Sequence, residues 1–207
     1  KDKDWPDAEK GFAQFMRFLD NEVGKVLSRL KELGLAENTL VMFSSDNGPH
    51  QEGGHQSDFF NSNGDFKGIK RDMTDGGIRE PFIAWWPGKI KAGATSEHVC
   101  AFQDVLPTLA DLSHTKLSSD PQLDGLSFAP TLLGKSGQQQ HSHLFWAFDE
   151  QGGKLAVLKW PWKLIHLNTG VAPKNAKAKG KPKPLEKLLY NLETDVGEEK
   201  NLAAEKP

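Results

Sequence analysis

The chain has 207 residues, 37% of them hydrophobic and 26% charged, which is enough apolar material for a core and argues against wholesale disorder. A formal net charge of -2 excludes any whole-chain attraction to nucleic acid or an acidic membrane surface. No stretch approaches the roughly 20 consecutive apolar residues that a bilayer-spanning helix requires.

The first predicted element is an amphipathic helix. Phe12, Phe15, Leu19, Val23, Leu27, Leu30 and Leu33 recur at spacings of three and four, while Asp20, Glu22, Lys25, Arg29 and Lys31 fall largely between them. Gly34 suits the left-handed stop after a helix. The apolar run Thr39 to Ser45 then reads as a strand buried on both faces.

That strand ends at Asp46-Asn47-Gly48-Pro49, and ligands of open α/β sheets gather beyond the carboxyl ends of strands. A carboxylate beside an amide oxygen offers two hard ligands to Ca²⁺ or Mg²⁺, but Asp-Asn-Gly is also a common turn, and spacing alone favours the turn. The stretch from His50 to Gly77 is an irregular loop rich in Gly, Asn, Asp and Ser, a type that is usually functional or disordered when it lies inside a compact domain. It holds His50 and His55 around Glu52. A Gly-rich loop fixes transition-metal geometry poorly, so His50 is expected to contact substrate rather than metal.

Lys67, Lys70 and Arg71 follow, then Gly76-Gly77-Ile78-Arg79-Glu80-Pro81. Three clustered cations at the ligand end of a sheet can hold an oxyanion, or they can form a solvated basic loop. Arg79 is expected in a structural role, as an ion pair or a backbone contact near the strand entrance. A second buried strand is predicted at Phe82 to Trp86, and a helix at Phe102 to Leu112 with Pro107 in or near its first turn. Cys100, the one cysteine, sits among apolar neighbours and reads as an inert thiol; no intrachain disulfide is possible.

After about Leu117 the pattern changes to short strands, at Leu144 to Phe148, Leu155 to Trp160, Lys163 to Leu167 and Leu188 to Leu192. The lysine-rich stretch Pro173 to Pro184 reads as a solvated hairpin loop.

Together, Ser44-Ser45-Asp46-Asn47-Gly48, Lys67-Gly68-Ile69-Lys70, Gly76-Gly77-Ile78-Arg79-Glu80-Pro81 and Trp86-Pro87-Gly88 closely resemble the sulfatase family of the alkaline-phosphatase-like superfamily. The likeness extends back to Leu19-Asp20 and forward through Asp104 to Leu109, Leu123-Asp124-Gly125 and Trp162 to Ile165. It ends with Leu189 to Asp195, Glu198 and Asn201-Leu202. The resemblance implies an α/β fold: part of a mostly parallel sheet flanked by helices, followed by a small C-terminal antiparallel subdomain. Residues 1–116 would be the C-terminal part of the core and 117–207 the α+β subdomain.

It further implies a sulfuric ester hydrolase acting on a sulfated small molecule or carbohydrate, exported to the periplasm or beyond. In proteins of this kind the position of Asp46 gives a carboxylate to Ca²⁺ and that of Asn47 an amide oxygen. The position of Lys70 contacts the sulfate and its bridging oxygen. The family nucleophile, a formylglycine, is made from Cys or Ser in a Cys/Ser-x-Pro-x-Arg motif. That motif is absent: Cys100 is followed by Ala101-Phe102-Gln103-Asp104. The expectation is therefore a partial enzyme starting mid-protein, inactive alone, whose nucleophile and remaining calcium ligands lie in an N-terminal half of the same protein. The alternatives are a phosphodiester or phosphonate hydrolase of the same superfamily, and a non-catalytic binding domain that keeps the fold.

Overall fold

The computed structural model describes residues 3–118, 123–170 and 184–206. The lysines of the 173–184 stretch lie outside the described residues. Two compact units are present, one formed by Lys1–Leu19, Ser44–Pro81 and His143–Pro207, the other by Asp20–Phe43 and Phe82–Ser142.

Helix α1 covers Asp7–Glu32 and runs through segments of both units. Asp7 and Glu9 in its first turn and Arg29 and Lys31 in its last complement the helix dipole. Gly34, at φ +68°, ends it, and the Leu35 amide returns to the Leu30 carbonyl at 2.9 Å, closing a Schellman-type stop. The apolar stripe is only partly covered. Phe12, Leu19, Val23, Leu27 and Leu30 are half-buried, whereas Phe15 is 64% exposed.

In the second unit, β1 (Val41–Ser44) and β2 (Phe82–Trp85) form a two-stranded sheet. The expectation of strands buried on both faces is corrected here: Phe43 and Phe82 are exposed, and Ile83 is 60% exposed. The physical reason is that no third strand among the described residues pairs with this sheet to shield its faces. The Trp86 indole N–H anchors the strand exit by donating to the Glu37 carbonyl at 2.8 Å. A single 3-10 turn, Phe102–Asp104, leads into α3 (Val105–Leu112), with Pro107 in its first turn, where a missing N–H costs nothing. Asp104 is fully buried and satisfied: it accepts the Ala101 and Leu126 amides, each at 2.7 Å, and the His141 ring nitrogen at 2.8 Å.

The first unit holds α2 (Asp75–Ile78) and an antiparallel meander, β3 (Leu144–Phe148), β4 (Lys154–Lys159), β5 (Trp162–Leu167) and β6 (Glu186–Asn191), in that spatial order. The register pairs Ala156 with Ile165 and Ile165 with Leu188. One face therefore carries Ala156, Ile165 and Tyr190, packed with Met73 and Leu192. Two lysines share that apolar phase. Lys154 lies two residues before Ala156 and Lys163 two before Ile165, and both are buried. Both point their charge at the loop that follows Asp46.

Candidate functional site

Beyond β1 the chain folds on itself through short local bonds. The Ser45 hydroxyl donates to the Asn47 carbonyl at 2.8 Å, and Asn47 Nδ2 donates to the Gly48 carbonyl at 3.1 Å. The second bond consumes the amide nitrogen of Asn47 and leaves Oδ1 as the atom able to meet a cation. Gly48 is required by proximity: a Cβ there would lie 1.9 Å from the Gly76 carbonyl oxygen. The Gly48 amide donates to the Gly77 carbonyl at 3.1 Å, and the Lys70 amide to the Pro49 carbonyl at 2.9 Å. Backbone bonds thus tie the Asp46-Asn47 corner directly to the loop bearing Lys70.

That loop is held from several sides. The Ile69 amide donates to Asp72 Oδ2 at 3.0 Å and the Asp72 amide to the Ile69 carbonyl at 2.8 Å, a tight turn in which Arg71 takes φ +79°. Asp75 accepts the Lys163 ammonium at 2.6 Å on Oδ1 and the Arg79 guanidinium at 3.3 Å on Oδ2. Arg79 also lies over the Phe66 ring, 4.4 Å from its centre. Glu198 completes the knot. Its Oε2 accepts the Asp75 amide at 2.5 Å, its carbonyl accepts the Lys67 ammonium at 3.0 Å, and Oε1 stands 3.1 Å from Lys163 Nζ. The last contact is ionic rather than a well-directed hydrogen bond, since Oε1 has no partner of acceptable angle.

Charges at the open side are arranged in opposed pairs. Lys70 Nζ lies 3.4 Å from Glu52 Oε1, with Arg71 at 3.6 Å from the same oxygen. The Lys70 hydrogen bond and charge hold the Glu52 carboxyl below its usual range. Glu80 is the opposite case: burial, and secondarily the Asp46 carboxylate, push it up to about 7. Its Oε1 is buried without a hydrogen-bond partner. The exposed Asp46 carboxylate and the Asn47 amide oxygen are hard-oxygen donors of the kind Ca²⁺ prefers. They are not a full shell, since Ca²⁺ takes six to eight oxygens. Among the described residues no group of three or more His, Cys, Asp or Glu side chains is arranged to hold a metal ion.

His50 and His55 have different surroundings. Their rings sit 5.8 Å apart at centroids, but His55 is buried, stacked 3.8 Å from the Phe12 ring, with Nδ1 2.6 Å from Glu9 Oε2. Glu9 Oε1 accepts the Gln56 amide at 2.8 Å. Burial alone would raise Glu9, but the Gln56 and His55 hydrogen bonds outweigh it and hold the carboxyl below its ordinary value. His55 therefore pins the loop to α1. His50 is half-buried, and its Nδ1 accepts the Glu52 amide at 3.0 Å, leaving Nε2 as the nitrogen able to donate. Cys100 is half-buried, and burial followed by the Asp104 charge pushes its thiol up, away from nucleophile chemistry.

The sequence reading does not single out Glu9, Glu80, Lys154, or the Lys163 and Glu198 charges. A usable signal exists for the two lysines, because each occupies an apolar phase of its strand: Lys154-x-Ala156-x-Leu158 and Lys163-x-Ile165-x-Leu167.

The architecture is that of the alkaline-phosphatase-like α/β proteins, with a small antiparallel C-terminal sheet. The sulfatase family model matches residues 8–115, more than half of the chain, and the chain belongs to the sulfatase family. It is 40% identical over 140 residues to the N-acetylgalactosamine-6-sulfatase of Mus musculus, covering 65% of this chain and 25% of that protein. To Homo sapiens arylsulfatase A it is 34% identical over 204 residues, covering 92% of this chain and 38% of the relative. A solved structure from work on the metabolism of multiple glycosaminoglycans by Bacteroides thetaiotaomicron matches with a TM-score of 0.68 at 29% identity. That match covers 91% of this chain and 40% of the other. The chain thus spans well under half the length of these relatives. No helix among the described residues is long and apolar enough to cross a membrane.

Proposed function

We propose that this chain is part of a sulfuric ester hydrolase that acts on a sulfated carbohydrate. The observation that carries the reading is the bonded corner itself: the Asp46-Asn47 turn and the Lys70 loop share hydrogen bonds at Pro49 and Gly48. The carbohydrate part draws support from the sugar named in the N-acetylgalactosamine-6-sulfatase relative.

In this reading the Asp46 carboxylate and Asn47 Oδ1 would hold Ca²⁺, with further oxygens supplied from beyond these residues. When bound, Ca²⁺ neutralises charge on the sulfuryl oxygens. Lys70 presents its ammonium to the bridging oxygen and stabilises or protonates the departing alkoxide. Glu52 keeps that ammonium paired and oriented until an anionic substrate competes for it. His50 donates from Nε2 to a substrate hydroxyl. The nucleophile is a formylglycine from a Cys/Ser-x-Pro-x-Arg motif, which these 207 residues do not contain. In chain order, 1–116 form the C-terminal part of the catalytic core and 117–207 a C-terminal subdomain. The enzyme is exported, to the periplasm or beyond.

The test is turnover of a sulfated monosaccharide by the full-length enzyme and its Lys70→Ala variant. A fall of about 10²- to 10⁴-fold in kcat with an unchanged melting temperature is expected. Turnover at the wild-type level in the variant would reject the role given to Lys70.

A further inference from the structure

Lys154 is the first residue of β4 and lies on the buried face of the sheet, where an ammonium loses most of its water. Its Nζ donates to the Arg71 carbonyl at 2.7 Å, with Asp72 Oδ1 at 3.5 Å and the Phe148 ring centre at 5.9 Å. The acceptor is unusual. Arg71 takes φ +79°, in the left-handed region that L-residues with side chains rarely occupy. Such a conformation persists only where its surroundings over-determine it, and it clusters at functional sites. Here a buried cation 83 residues further along the chain captures the carbonyl of that residue.

We propose that Lys154 is a positioning residue for Lys70. By holding the Arg71 carbonyl, it maintains the left-handed kink directly after Lys70, and so fixes the backbone from which the Lys70 side chain departs. The other end of the same two-residue segment is fixed by the Lys70 amide on Pro49, next to the Asp46-Asn47 corner. With both ends held, the Lys70 ammonium has one direction of approach to a bound oxyanion. The inference deepens the function proposed above and rests on Lys70 acting on the sulfate group. Loss of Lys154 should act on the chemical step more than on binding, since a displacement of about 1 Å can cost about 100-fold in rate.

The experiment is a double-mutant cycle in the full-length enzyme, with 4-nitrophenyl sulfate as the probe. Lys154→Met should lower kcat about 10- to 100-fold and leave KM within about twofold. Glycine adopts φ +79° unaided, so in an Arg71→Gly background the same Lys154→Met change should cost less than about threefold in kcat. A merely structural lysine would give equal losses in both backgrounds, and that result would overturn the proposal. Should Lys154→Met alone fail to fold, Lys154→Met/Arg71→Gly should fold and Lys154→Arg, which keeps a cationic donor, should stay within about tenfold of the parent kcat; failure of either also overturns it. Lys70→Ala is measured alongside. Full activity in Lys70→Ala would remove the functional reading itself, whereas an inactive Lys70→Ala beside an unimpaired Lys154→Met would remove only the positioning role.

Discussion

The Lys163 ammonium stands 2.6 Å from the Asp75 carboxylate, although neither group has appreciable access to water. Glu198, also fully buried, lies 3.1 Å from the same ammonium. One cation therefore serves two carboxylates, and its removal leaves two buried negative groups facing each other. Lys163→Met should destabilise the fold by about 3–5 kcal/mol in chemical denaturation, the range for breaking a buried pair from one side. A loss under about 1 kcal/mol would show that water reaches the cluster. The pH response follows from Glu198, which burial raises against the opposing pull of Lys163. A raised carboxyl makes the native state hold more protons than the unfolded chain, so stability falls as pH climbs from the ordinary carboxylate range through the folded value. Lys163→Met removes the opposing pull, and the decline should steepen.

Glu52 reports on Lys70 from the exposed side. The Lys70 hydrogen bond is the main cause of its lowered carboxyl, with Lys70 charge next. In Lys70→Met, the Glu52 side-chain signal in an NMR titration should move its midpoint upward, toward the usual glutamate range. An unmoved midpoint would mean that the two groups are not in contact in solution. In the parent, the charged form of Glu52 is favoured by folding, so this contribution is present above the ordinary carboxylate range and fades as pH falls through the lowered value.

Glycines in this chain should divide by sign. A Cβ at Gly48 would meet the Gly76 carbonyl oxygen at 1.9 Å, and one at Gly76 would meet the Gly68 carbonyl oxygen at 2.3 Å. Backbone cannot retreat as a side-chain tip can, so Gly48→Ala or Gly76→Ala should cost about 3 kcal/mol or more, or prevent folding. Gly24 lies inside α1 with nothing within 4 Å of its added Cβ. Gly24→Ala should stabilise by about 0.5–1 kcal/mol. Thermal melts of the variants decide it, and equal shifts at Gly48 and Gly24 would contradict the close approach of the two loops.

The fold is more legible in the sequence than the site's support is. Alternation places β3 to β6 within a residue or two, and the spacing of Phe12, Leu19 and Leu27 finds α1, because both signals are local and periodic. Asp46 and Asn47 are visible as a polar corner after an apolar run. What stays hidden is how that corner is braced. Glu9 looks like an ordinary first-turn acid, yet it meets His55 46 residues later. Asp75 and Lys163 are 88 residues apart, and Asp75 and Glu198 are 123 apart. Contacts of that span leave no periodic trace; the clue the sequence offers is a lysine in an apolar phase. The open faces of β1 and β2 are missed for a different reason, since an apolar run records what a strand can bury and not what arrives to cover it.

Glu198 takes a backbone bond from Asp75, gives its carbonyl to Lys67 and faces Lys163. A cut in the backbone just before it would leave every residue of the Asp46 corner in place. Even so, it would release one side of the Lys70 loop and leave Lys163 with a single counter-charge. A break at Glu198 would thus loosen the Lys70 loop first, while most of the folded body stayed intact.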